Sequence, residues 1–199
     1  MPKIRRSTPV RVCKATKTHY RSYKRDLVVD FRHRCGYCDG HDSYSGGYRN
    51  FHIDHFAPKK KFPNLENSYS NLVYACFYCN NAKSDHWPSN SHDVSIVGDS
   101  GFVDPCSDDY DIHLHRADNG EIVPLTPLGN YMFDTLHLGL KRHSILWVTE
   151  ELFRLIDEIE EILQKADPFS KEAKVLESAY NCLLREYRTS MKHFREDIE

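Results

Sequence analysis

His52-Ile53-Asp54-His55-Phe56-Ala57-Pro58, and after it Asn71-Leu72-Val73-Tyr74-Ala75-Cys76-Phe77-Tyr78-Cys79-Asn80-Asn81-Ala82-Lys83-Ser84-Asp85, is the stretch from which the fold is read. Tyr48 to Phe56 has the aromatic and β-branched character of a short strand, and Asn71 to Ala75 fits a second. Cys79 to about Asp85 is compatible with a helix that must end before Trp87-Pro88. The predicted order is therefore strand, strand, helix.

A second cysteine pair stands upstream. Cys35-Gly36-Tyr37-Cys38 and Cys76-Phe77-Tyr78-Cys79 are separated by 37 residues, and paired Cys-x-x-Cys spacing in a reducing compartment points to metal rather than disulfide. Four thiolates suit zinc, and a closed tetrahedral site of this kind holds a fold together and does no chemistry. Gly36 is expected to let the first pair fold into a tight knuckle. Cys13, Cys106 and Cys182 remain as buried or incidental thiols.

Taken together, Asp-His before an apolar residue, then Asn-Leu, then Cys-x-x-Cys-Asn-x-x-Lys resembles the HNH endonuclease family in the variant whose third signature residue is Asn. The resemblance spans about Cys35 to Asp85. It implies a small zinc-stabilised ββα-metal core, treble-clef-like, which with the helices read further along the chain makes an α+β fold with a mainly helical C-terminal extension. It also implies metal-dependent hydrolysis of nucleic-acid phosphodiester bonds, with DNA favoured over RNA. His55 then corresponds to the general base, Asp54 and Asn80 to ligands of a catalytic divalent cation, and Asn71 to a brace for the loop carrying His55.

The residue types suit that chemistry. Water attacks phosphorus only after losing a proton, and an imidazole with an ordinary pKa of about 6.5 is suited to take it. A divalent cation stabilises the charge that develops on the phosphoryl and leaving oxygens. One carboxylate and one amide oxygen leave room for waters and phosphate in an octahedral shell, which favours magnesium or manganese; zinc would want more nitrogen or sulfur. Adjacent strand residues point to opposite faces, so the strand must end or twist for Asp54 and His55 to serve one site. His52 shares Asp54's face, either as an extra ligand or phosphate contact or as a scaffold histidine. Lys59, Lys60, Lys61 and Lys83 are the candidate nucleic-acid contacts, of a kind that adds affinity without sequence preference.

Around this centre the 199 residues carry a formal charge of −2 that is unevenly spread. From Met1 to Arg34 there are eleven Lys and Arg against two Asp, whereas Glu150 to Glu161 is strongly acidic. Residues 1–16 read as a basic arm that orders on a partner, 17–90 as the nuclease core, and 91–143 as linker, β-hairpin and helix. Residues 144–199 read as a helical hairpin with apolar stripes at Leu152, Leu155, Ile156 and Ile159, then at Leu176, Tyr180, Leu183 and Tyr187. No long apolar run suggests a membrane span or signal peptide, and a cytoplasmic protein is expected. Small HNH proteins with such extensions are similar to antiphage-defence components such as the Septu nuclease subunit, so an ATPase or other protein partner for the C-terminal helices is a further expectation. The competing readings are a non-catalytic zinc-stabilised nucleic-acid-binding module and an RNA-cleaving effector.

Overall fold

The computed structural model describes residues 3–196, which divide into two compact units, Met1–Leu140 and Lys141–Glu199.

In the first unit a single turn of 3-10 helix at Tyr20–Tyr23, capped by His19 Nδ1, leads into α1 (Lys24–Asp30). Tyr23, Leu27, Val28 and Phe31 turn inward, at the spacing of one helical face. The helix is short. Arg32 and His33 take left-handed backbone angles, φ 50° and 62°, and their amides close onto Val29 O and Val28 O at 3.0 and 2.9 Å. That turn stops α1 and swings the chain into Cys35.

β1 (His52–His55) pairs antiparallel with β2 (Leu72–Ala75), with His52 opposite Ala75 and His55 opposite Leu72. The expected strand from Tyr48 is cut to four residues because its partner is only four long. β2 emerges from a 3-10 turn at Tyr69–Asn71 and ends where Cys76 leaves the ladder to cap the next helix. All four β2 residues are fully buried. α2 (Phe77–Lys83) begins two residues earlier than expected, since the Cys76 thiol accepts the Cys79 amide at 3.4 Å and supplies the N-cap.

The remainder of the unit comprises β3 (Ile96–Val97) and β4 (Ser100–Gly101), which form a short hairpin inside the expected linker, then α3 (Tyr110–His113), β5 (Leu114–Arg116), β6 (Ile122–Pro124) and α4 (Pro127–Thr135). Thr126 Oγ1 caps α4 by accepting the Gly129 amide at 2.9 Å, with Pro127 at the first helical position where it loses no bond.

The basic N-terminal segment is packed into this unit, which overturns its reading as an arm awaiting a partner. Ile4 is fully buried, and Lys3 bridges to His115. Arg5 pairs with Asp111 at 2.9 Å and also donates to Pro105 O and to Ser107 O. Arg11 donates to Leu72 O and to Asp104, both at 2.8 Å. These guanidiniums meet carboxylates about a hundred residues away, which no local pattern reveals.

In the second unit, α5 (Lys141–Leu163) and α6 (Lys171–Glu196) run antiparallel. Thr149 Oγ1 lies 2.5 Å from Ser190 Oγ, Phe153 meets Tyr187, and Arg142 stacks over Phe194. Leu146, Leu152, Ile156, Ala173 and Phe194 are its buried apolar residues. No described helix is long and apolar enough to cross a membrane.

Candidate active site and metal centre

Cys35 and Cys38 come from the loop after α1, and Cys76 and Cys79 from the joint between β2 and α2. All four are buried, and their sulfurs lie within 4.8 Å of one another. Cys38 Sγ and Cys76 Sγ are 3.9 Å apart, close to the ~3.8 Å edge of a tetrahedron whose metal–sulfur bonds are about 2.3 Å. Burial pushes the Cys35 thiol well up, whereas a hydrogen bond with Cys35 draws Cys76 down to about 7. Such a set accepts four negative charges only around a cation, and zinc fits it.

Gly36 serves this knuckle by close approach rather than by backbone freedom. A Cβ there would sit 2.8 Å from Phe31 and 2.9 Å from Val73, while the left-handed angle falls on Asp39, φ 60°. Two distant residues complete the knuckle: Tyr110 Oη donates to Tyr37 O at 2.8 Å, and Arg116 Nη2 donates to Cys38 O at 2.7 Å.

Asp54, on β1, is almost fully buried, and its Oδ2 accepts from Tyr37 Oη at 2.5 Å and from Lys83 Nζ at 3.2 Å. Lys83, at the end of α2, is completely buried and also donates to His55 O at 3.0 Å. It therefore does not stand among the surface cations, as expected of a phosphate contact; its ammonium is committed to the backbone and carboxylate of the Asp-His pair. Tyr37 was not anticipated, because nothing in Cys-Gly-Tyr-Cys shows that its hydroxyl reaches Asp54.

Replacing Lys83 with methionine is expected to cost about 3–5 kcal/mol, since it leaves the Asp54 carboxylate buried without its cation. Denaturant unfolding of the variant measures this. A loss below about 1 kcal/mol would mean that the pair is solvated in solution.

Asn80 sits on α2 with Nδ2 3.2 Å from His52 Nδ1. Burial, reinforced by the charge of Lys24, lowers the His52 pKa, so a neutral ring can accept from the amide. Among the described residues, no hydrogen bond engages Asp54 Oδ1 or Asn80 Oδ1. One carboxylate oxygen and one amide oxygen are thus left over, donors of the hard kind that magnesium or manganese takes.

His55 ends β1. Its Nε2 is bonded to Glu66 O at 2.9 Å, and its ring lies edge-on to Tyr20 with centroids 4.8 Å apart. Burial lowers its pKa, partly offset by the Glu66 carbonyl and the Asp54 charge, which keeps the imidazole neutral and able to take a proton at pH 7. No side-chain hydrogen bond joins it to Asp54 or Asn80 among the described residues. Asn71 clamps the intervening loop: its Oδ1 accepts the Ala57 amide at 2.8 Å and its Nδ2 donates to Ala57 O at 3.0 Å.

The lysine run is exposed or half-exposed and paired. Lys59 bonds Glu66 at 2.9 Å and covers the Tyr20 ring, Lys60 bonds Asp85 at 3.0 Å, and Lys61 donates to Trp87 O. Exposed pairs of this kind contribute little, so a phosphate can displace the carboxylates.

Residues 35–86 match the HNH endonuclease family model. The matched span runs from the first zinc-type cysteine to just beyond α2, covering the hairpin, the helix and the clamped loop. No curated protein and no solved structure matches the chain. The HNH segment implies a nuclease that acts on nucleic acid, and with the four-cysteine cluster it makes a mixed α+β core with a helical extension.

Proposed function

We propose that the chain is a metal-dependent endonuclease that hydrolyses phosphodiester bonds, with DNA as the first substrate to test. The observation that carries this is the placement of His55: a neutral imidazole at the end of β1, fixed by the Glu66 carbonyl beside a loop that Asn71 clamps at both polar atoms of Ala57. A binding module that never cuts has no use for a base so constrained.

In this reading Asp54 and Asn80 hold the divalent cation, which supplies charge stabilisation to the phosphoryl and leaving oxygens. His55 accepts the proton of the attacking water. Lys83 and Tyr37 fix Asp54 Oδ2, so the carboxylate cannot swing as substrate arrives. Lys59, Lys60 and Lys61 exchange their surface carboxylates for phosphates. The four cysteines hold zinc and stay out of the chemistry. Partnership with an ATPase in antiphage defence rests on resemblance alone, and the proposal stops at hydrolysis.

The test incubates full-length protein with plasmid, linear duplex, single-stranded DNA and RNA, with magnesium or manganese and with chelator. Cleavage of DNA that needs added cation is the expected result. Cleavage of RNA alone would replace the substrate, and absence of cleavage on all four would overturn the hydrolase.

A further inference from the structure

Asp157, Glu158, Glu160 and Glu161 lie near the C-terminal end of α5, whereas Arg185, Arg188, Lys192 and Arg195 lie in the second half of α6, all four exposed. Their spacing of three, four and three residues puts them within an arc of about 80° on the helix surface. Ser190 and Phe194, which pack against α5, lie on the opposite side of α6, and Tyr187, which meets Phe153, lies between the two faces. The cations thus form a solvent-facing stripe.

Lys192 is shared with Glu196 at 3.7 Å. Among the described residues, Arg185, Arg188 and Arg195 have no carboxylate partner, unlike Arg154 on α5, which is bound by both Glu151 and Glu158. An open depression of about 720 Å³ lies along the stripe, lined by these cations with Tyr187 and Met191. Three guanidiniums without a carboxylate partner among the described residues repel one another along this face, and a row of phosphates is the ligand that relieves that repulsion with bidentate bonds.

We infer that this face of α6 is a docking surface for the phosphate backbone of a nucleic acid, so that the helical unit grips the substrate on which the HNH segment acts. The inference rests on the hydrolase reading for its choice of polyanion. From Arg185 to Arg195 the helix rises about 15 Å, a length along which duplex DNA presents roughly nine charges. Contact is therefore to the backbone and independent of sequence.

The test measures binding of fluorescent duplex DNA, single-stranded DNA and RNA to full-length His55→Ala protein across a salt series. The same protein carrying Arg185→Ser, Arg188→Ser and Arg195→Ser, and a version with lysine at those three positions, are measured beside it. Circular dichroism monitors folding of each.

The serine variant is expected to stay folded, to bind about tenfold more weakly or worse at moderate salt, and to lose about 2–3 from the slope of log affinity against log salt. The lysine version should recover the slope. Unchanged affinity and slope in the folded serine variant would overturn the inference. The two proposals fail separately. Binding through the stripe without cleavage by the wild type sinks the hydrolase and keeps the surface; cleavage with an unaltered salt slope does the reverse.

Discussion

Replacing Cys76 with serine is expected to leave the Met1–Leu140 unit without a stable fold. Four-thiolate zinc in small domains contributes an apparent ~10–16 kcal/mol, and a domain's entire net stability is typically about 5–15 kcal/mol. Cys76 is doubly placed, as a ligand and as the residue whose sulfur caps α2. Its replacement therefore loosens the joint between β2 and the helix bearing Asn80 and Lys83. Elemental analysis of protein purified without chelator should give one zinc per chain, and thermal melting of the variant should show loss of the cooperative transition. Absence of zinc, or an unchanged melt, would remove the metal from the account of the fold. Magnesium added to zinc-stripped protein should not restore cleavage, because the two ions act at different places.

His55→Ala is expected to lower the single-turnover rate of DNA cleavage by about a hundredfold to ten-thousandfold, the usual contribution of a positioned general base. Binding should persist, since the proposed phosphate contacts lie elsewhere. The structural penalty is small by comparison. One hydrogen bond to Glu66 O is lost, an effect of about 1 kcal/mol, so the variant should melt only slightly below the wild type. A rate within about threefold of the wild type in a well-folded His55→Ala protein would transfer the base to another group. His52 is the first to try, on the same strand as His55 and 3.2 Å from the Asn80 amide.

What could be read from the sequence was local. The hairpin, α2 and the grouping of the four cysteines follow from spacings of two to four residues, each with one geometric meaning. The helix at Pro127 follows from a cap and a proline. The surroundings of the site could not be read that way. Lys83 looks like any surface lysine in Cys-Asn-Asn-Ala-Lys until β1 brings Asp54 to it, and Tyr37 shows its purpose only against the same carboxylate. Residues 3–16 suggest a loose arm because they are basic and poor in large apolar side chains. Their order comes from Asp104 and Asp111, partners too far along the chain for any window to include.

The bonds from Tyr110 and Arg116 to the carbonyls of Tyr37 and Cys38 also set a clock for biosynthesis. Every motif residue of the nuclease has been translated once Lys83 is added, yet the zinc knuckle still lacks the donors that satisfy its backbone. Those arrive with Tyr110 and Arg116, and β6 and α4 follow them. The knuckle's backbone is thus completed from outside the matched segment, so residues 35–86 made alone would leave the Tyr37 and Cys38 carbonyls without these two donors, and contacts so far apart in sequence form slowly.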